Sequence, residues 1–127
     1  MEKDYVTDKK FTKIDFTHKP LEKGEYEDCI FSDCDFSGSE LCGIIFSDCE
    51  FISCNLSMVK LSETIFRDTN FHECKMLGLH FEDCNEFGLS FGFINCILNN
   101  SSFYKTKIKN THFKTRSYRR LILLIAT

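Results

Sequence analysis

Counting by fives from Val6 gives Val6, Phe11, Phe16, Leu21, Tyr26, Phe31, Phe36, Leu41, Phe46, Phe51, Leu56, Leu61, Phe66, Phe71, Met76 and Phe81, and every one is apolar. The chain is 43% hydrophobic, so chance would produce that run only roughly once in a million trials. A period of five is neither the 3.6 of an α-helix nor the 2 of a strand. The next position, Glu86, breaks it, and a second frame starts two residues late with Phe93, Leu98, Phe103, Ile108 and Phe113.

The residue two before each centre carries a second signal. It is usually small: Cys29, Cys34, Ser39, Cys49, Cys54, Thr64, Thr69, Cys74, Cys96, Ser101, Thr106 or Thr111, with Ile44, Val59 and Leu79 as exceptions. Seven of the eight cysteines fall at this offset, counting Cys84 before the broken centre, and only Cys42 does not. The other three positions of each five are mostly polar. Two residues in five therefore face inward, one large and one small.

A chain with straight sides and tight corners, one pentad per side, meets that requirement. Four sides make a coil of about twenty residues, and successive coils pair edge to edge at ~4.8 Å. Segments 26–45, 46–65 and 66–85 align Asp28/Asp48/Asp68, Phe31/Phe51/Phe71 and Cys34/Cys54/Cys74. The inner wall is predicted to hold Phe31, Phe36, Leu41, Phe46, Phe51, Leu56, Leu61, Phe66, Phe71, Met76 and Phe81, with Cys34, Cys54 and Cys74 as small fillers. Residues 1–25 read as a less regular first coil, disturbed by Pro20 and Gly24.

Charge is asymmetric. Between residues 26 and 86 there are thirteen acids against three bases, whereas from Lys105 onward there are seven bases and no acid. Asp28, Asp48 and Asp68 are expected to form a column, flanked by Asp33 and Glu73, with Glu40, Glu50, Glu63 and Asp83 elsewhere on the surface. One DNA strand carries a phosphate every ~3.4 Å, so such a ladder approaches the charge density of a nucleic acid. The plainer reading is that a solenoid needs a charged exterior to stay unaggregated.

The motifs CIFSDCDFSGSEL, FSDCEFISCNLSMVKL and FHECKMLGLHF resemble the pentapeptide-repeat proteins, in particular the quinolone-resistance (Qnr-type) branch, over residues 6–113. The resemblance implies an all-β, right-handed quadrilateral β-helix, here of about five coils with a short C-terminal cap. For that branch it implies a homodimeric rod whose acidic face imitates DNA, binds DNA gyrase or topoisomerase IV, and protects them from quinolones. The chain has fewer coils than that branch usually has, so a truncated member is expected. The alternative is a structural or general protein-interaction scaffold without topoisomerase activity.

Other chemistry finds little support in the sequence. Cysteines spaced by five do not form the CxxC pairs of zinc sites, so no metal and no cofactor are expected. Stacked pairs such as Cys29/Cys49 fall at a distance that disulfides tolerate, but a small core filler is the simpler role. His18, His72, His80 and His112 sit outside the inward columns and share no motif with a nucleophile, so no catalytic residue is assigned and the protein is not expected to be an enzyme. No phosphate-binding glycine motif occurs, and Gly38, Gly43 and Gly78 are assigned to corners. No signal peptide and no apolar run of membrane-spanning length is present, so a cytoplasmic location without membrane or direct nucleic-acid binding is expected. The chain divides into a β-helix over 1–113, with a register break near 85–92, and a basic and apolar tail over 114–127. In that tail Leu121, Ile122, Leu123, Leu124 and Ile125 are assigned to capping or self-association.

Overall fold

The structure is a computed structural model that describes residues 4–86 and 89–104, and the backbone of 112–114. Its strands are β1 (Asp4–Thr7), β2 (Lys10–Thr12), β3 (Gly24–Glu27), β4 (Ile30–Ser32), β5 (Ile45–Ser47), β6 (Glu50–Ile52), β7 (Ile65–Arg67), β8 (Thr69–His72), β9 (Phe91–Ile94) and β10 (His112–Lys114). They form two parallel sheets, ordered β1-β3-β5-β7 and β2-β4-β6-β8-β9-β10. A third side is made by single bridges linking Asp15, Asp35, Asn55, Lys75 and Ile97 in turn, and a fourth by Glu40 to Lys60 and His80 to Ser102. The result is a right-handed quadrilateral β-helix, the hand that parallel crossovers take. About four coils are complete among the described residues, and a fifth is traced through Tyr104 and rejoined at β10.

The register is twenty residues wherever the pentads are regular: Phe11 pairs with Phe31, Phe31 with Phe51 and Phe51 with Phe71. Their rings stack at centroid separations of 4.7, 4.8 and 5.1 Å, close to the strand spacing, which is why one residue type repeats along the column. From β8 to β9 the register widens to twenty-two, so Phe71 meets Phe93, and it returns to twenty between β9 and β10. The two extra residues lie in the connection ahead of β9.

Phe91 repairs the break. It belongs to the first frame, five residues after the failed centre Glu86, and to the small position of the second, opposite Thr69. Its ring is buried, lies 6.2 Å from Phe66 and meets Phe81 edge-on at 5.4 Å. A bulky residue in a small slot thus fills the space that Glu86 leaves.

Most sides turn through one residue in the left-handed region, two after the centre, the exceptions being His18, Lys23 and Asp83 after Phe16, Leu21 and Phe81. Asp8, Asp28, Asp48 and Asp68 do so on one edge, Lys13, Asp33, Ser53, Glu73 and Asn95 on the next, with φ between 48° and 55°. The third edge carries Gly38, Met58, Gly78 and Asn100, and the fourth Gly43 and Glu63. The first coil is regular on its first two sides, where β1 and β2 pair with β3 and β4 in the same register, and irregular later, where His18 and Lys23 take no left-handed corner and no bridge joins Pro20 to Glu40. Gly24 is there because a Cβ would fall 2.4 Å from the Asp4 carbonyl oxygen.

The small inward residues are hydrogen-bond donors as well as fillers. Thr64 Oγ1 donates to the Leu41 carbonyl at 2.7 Å, Thr69 Oγ1 to Phe46 at 3.2 Å and Ser101 Oγ to Met76 at 2.8 Å, each reaching the coil before. Cys49, Cys54, Cys74 and Cys96 make the same reach to Tyr26, Phe31, Phe51 and Phe71, at 3.2 to 3.3 Å. Ser, Thr and Cys share a short side chain and one donor, and that pairing of size with polarity suits the slot.

Candidate functional site: an acidic edge

Among the described residues only one of the four edges is acidic at every complete coil. Asp8, Asp28, Asp48 and Asp68 occupy it on successive coils, all exposed, with Asp8 one coil ahead of the three that sequence alignment stacks. Their backbone N–H groups hold the coils together: Asp8, Asp28 and Asp48 donate to the carbonyls of Glu27, Ser47 and Arg67 at 3.0, 3.0 and 2.9 Å. The carboxylates are thereby left pointing outward. Those of Asp28 and Asp48 accept no hydrogen bond among the described residues, while Asp68 accepts one from Ser90 Oγ at 3.2 Å. Partial desolvation, and then the carboxylates of Asp48, Asp8 and Glu27, push the Asp28 pKa above the ordinary aspartate value.

The remaining acids are not gathered beside this column. Asp33 and Glu73 share the next edge but are separated by Ser53. Glu50 lies on the second side with its Oε1 3.2 Å from His72 Nε2. Glu40 is on the fourth side, 3.8 Å from Lys60. Glu63 N–H donates to the Asp83 carbonyl on the fourth edge at 3.0 Å, and Glu63 Oε1 accepts from Asn85.

A second series of acids has a different job. Asp35 Oδ1 accepts from the Ser37 N–H at 2.9 Å and the Ser37 hydroxyl at 2.7 Å. Asp15 Oδ1 takes the equivalent bonds from Thr17, and its Oδ2 lies 2.6 Å from His18 Nδ1. The Thr17 hydroxyl, His18 and the Thr17 N–H together hold Asp15 down at a pKa of about 2. Asn55 repeats the turn with Ser57, so charge is not what this column needs.

The inner wall behind this edge is filled with side chains. Phe31, Phe36, Phe46, Phe51, Phe71 and Phe81 are fully buried, and Leu41, Leu56, Leu61, Phe66 and Met76 nearly so. All eight cysteines are free thiols. Cys34, Cys54, Cys74 and Cys96 fall on one inward column, and burial pushes the Cys34 and Cys49 thiols upward, Cys49 to about 12. Among the described residues no group of three or more His, Cys, Asp or Glu side chains is arranged to hold a metal ion. His80 pairs with Glu82 at 3.3 Å on the surface. No helix among the described residues is long and apolar enough to cross a membrane. Leu121–Ile125 lie outside the described residues, as do Ile108 and the tail from 115 onward.

A coiled parallel β-solenoid with five-residue sides is the class of protein this geometry defines. A family model for the pentapeptide repeat region matches residues 24–92, more than half the chain, and the protein belongs to the pentapeptide-repeat family. Among solved structures it is similar to the pentapeptide repeat protein Rfr23 from the cyanobacterium Cyanothece 51142, at a TM-score of 0.64 and 13% identity over 94% of this chain and 87% of that one. It is also similar to full-length QnrB1, a plasmid-mediated fluoroquinolone resistance protein, at a TM-score of 0.54 and 15% identity over 94% of this chain and 82% of that one. These identities carry the fold alone. No curated protein matches the sequence.

Proposed function

We propose that the protein is a non-catalytic interaction module whose Asp8–Asp28–Asp48–Asp68 edge imitates the phosphate backbone of DNA and docks on the DNA-binding surface of a type II topoisomerase, gyrase or topoisomerase IV. The observation that carries the reading is that the backbone does not demand aspartate at this edge. The same left-handed corner is occupied elsewhere by Lys13, Ser53, Met58, Glu63 and Glu73. Partial desolvation and then the like charges of Asp48, Asp8 and Glu27 raise the Asp28 pKa, an unfavourable arrangement that turn geometry alone gives no reason to keep.

The four carboxylates step along roughly 14 Å at the spacing of paired strands. That is a length and charge over which a cationic groove evolved for DNA would release counterions in the same way. The fold shared with QnrB1 adds support. Asp33, Glu73, Glu50, Glu40 and Asp83 are peripheral in this reading, and a homodimer, a cytoplasmic setting and quinolone protection go with it.

The direct test is gyrase-catalysed supercoiling with and without a fluoroquinolone. Inhibition, or relief of drug poisoning, is the expected result; no effect of either kind on gyrase or topoisomerase IV defeats the reading. A general interaction scaffold is the alternative, favoured by the outward stack of Ile45 on Ile65 on the first side. It becomes the better account if binding to a partner survives loss of the acidic edge.

A further inference from the structure

The first coil presents an end face unlike any cross-section further along. Among the described residues no strand pairs with the outer edges of β1 and β2. The large inward residues Val6, Phe11, Phe16 and Leu21 line a cavity of about 370 Å3 there, a volume in the range of small-molecule sites. Phe11 lies parallel to Phe31 at 4.7 Å and Phe16 parallel to Phe36 at 4.6 Å, so one face of each ring is stacked; Phe16 is otherwise almost wholly covered, and Phe11 is the ring left partly exposed at this end.

The slots that hold uncharged donors in the second coil, Cys29, Cys34 and Ser39, hold Lys9, Ile14 and Lys19 in the first. Among the described residues no coil lies on that side to receive a short donor, and two long ammonium-bearing chains line the same cavity. Lys9 Nζ sits 5.3 Å from the centre of the Phe11 ring. A single acid, Glu22, lies on the lining, so the rim carries a positive excess.

From the stacked rings beneath and the ammonium groups above, we propose that this end face is a binding site for a planar aromatic carboxylate. The ring system of such a ligand continues the Phe11 column as a further coil's side chain would, and its carboxylate meets Lys9 and Lys19. This inference stands apart from the acidic edge and does not rest on it.

The probe is 2-naphthoate, titrated into the full chain and followed by amide chemical shifts. The expected result is saturable shifts around Lys9, Phe11, Phe16 and Lys19 with a Kd of about millimolar, the strength such a small ligand can reach. On the unaltered protein, the neutral 2-naphthamide should bind about five-fold more weakly, since an exposed ion pair is worth about that factor. The puckered cyclohexanecarboxylate should bind more weakly still. Lys9→Ala with Lys19→Ala should remove the preference for the acid over the amide while leaving the circular dichroism unchanged, and Glu22→Gln should strengthen binding. Absence of shifts at millimolar probe, shifts confined to other coils, or equal affinity for acid, amide and puckered acid would each overturn the proposal.

Discussion

Two aspartate columns run along this solenoid, and they differ in what their carboxylates touch. Asp15 and Asp35 turn inward on their own loops, each accepting the N–H and hydroxyl of the residue two ahead. Asp28 and Asp48 leave the backbone to hold the corner and accept nothing among the described residues. One column is internally satisfied, and the other faces outward with its charges unmet. Identical residues at two different offsets of one repeat thus divide into a structural set and a set available to a partner.

The largest expected effect separates the columns by activity. Reversing Asp28 and Asp48 to Lys should abolish any action on gyrase supercoiling, because it changes the edge by four charge units where the partner's cationic groove would sit. Asp35→Asn keeps the turn's acceptor, as Asn55 already does, and should leave the same assay unchanged. An equal loss in both variants would erase the distinction between the columns.

Stability should divide the other way. Asp35→Ala removes the acceptor for two hydrogen bonds and should destabilise the protein by about 1 kcal/mol in urea unfolding, whereas Asp48→Asn, which suits the left-handed corner, should be neutral or mildly stabilising. Thr64→Val tests the buried counterpart. It keeps the shape of the inward slot, deletes the 2.7 Å bond to the Leu41 carbonyl, and should also lose about 1 kcal/mol. If Thr64→Val is silent, the slot selects for size alone.

Much of this was legible beforehand. The five-residue period with four sides to a coil was enough to place Phe31, Phe51 and Phe71 in one stacked column, since any register that is not a multiple of five would put rings outside. What stayed hidden was the second use of individual residues. Cys, Ser and Thr read as small, and nothing in the spacing says that each donates to the coil before it. Phe91 looked like an ordinary residue of the interruption because its two roles belong to two different frames. Asp8 was missed as the start of the acidic edge because Pro20 and Gly24 made the first coil look irregular, although Gly24 is a packing requirement against Asp4. The acids also looked like one population. The structure distinguishes Asp35, whose carboxylate accepts from Ser37, from Asp48, which sits at a left-handed corner with a carboxylate that accepts nothing among the described residues.

The smallest effect is also the one that probes the two environments most directly, through pH. Asp15 is held at about 2, below its unfolded value near 3.8, so its contribution is present above pH 3.8 and is lost as pH falls toward 2. Asp28 is shifted upward, so its sign is opposite: the folded state is relatively favoured when this group is protonated, and that advantage disappears as pH rises through its folded pKa. At pH 7, Asp28→Asn should therefore raise Tm slightly and Asp15→Asn should lower it. As the pH drops, the Asp28→Asn gain should shrink and vanish below its unfolded pKa, while the Asp15→Asn deficit should persist through pH 4 and narrow only in stronger acid. Parallel pH profiles for the two variants would mean that both carboxylates feel the same surroundings, and the acidic edge would then be an ordinary solvated surface.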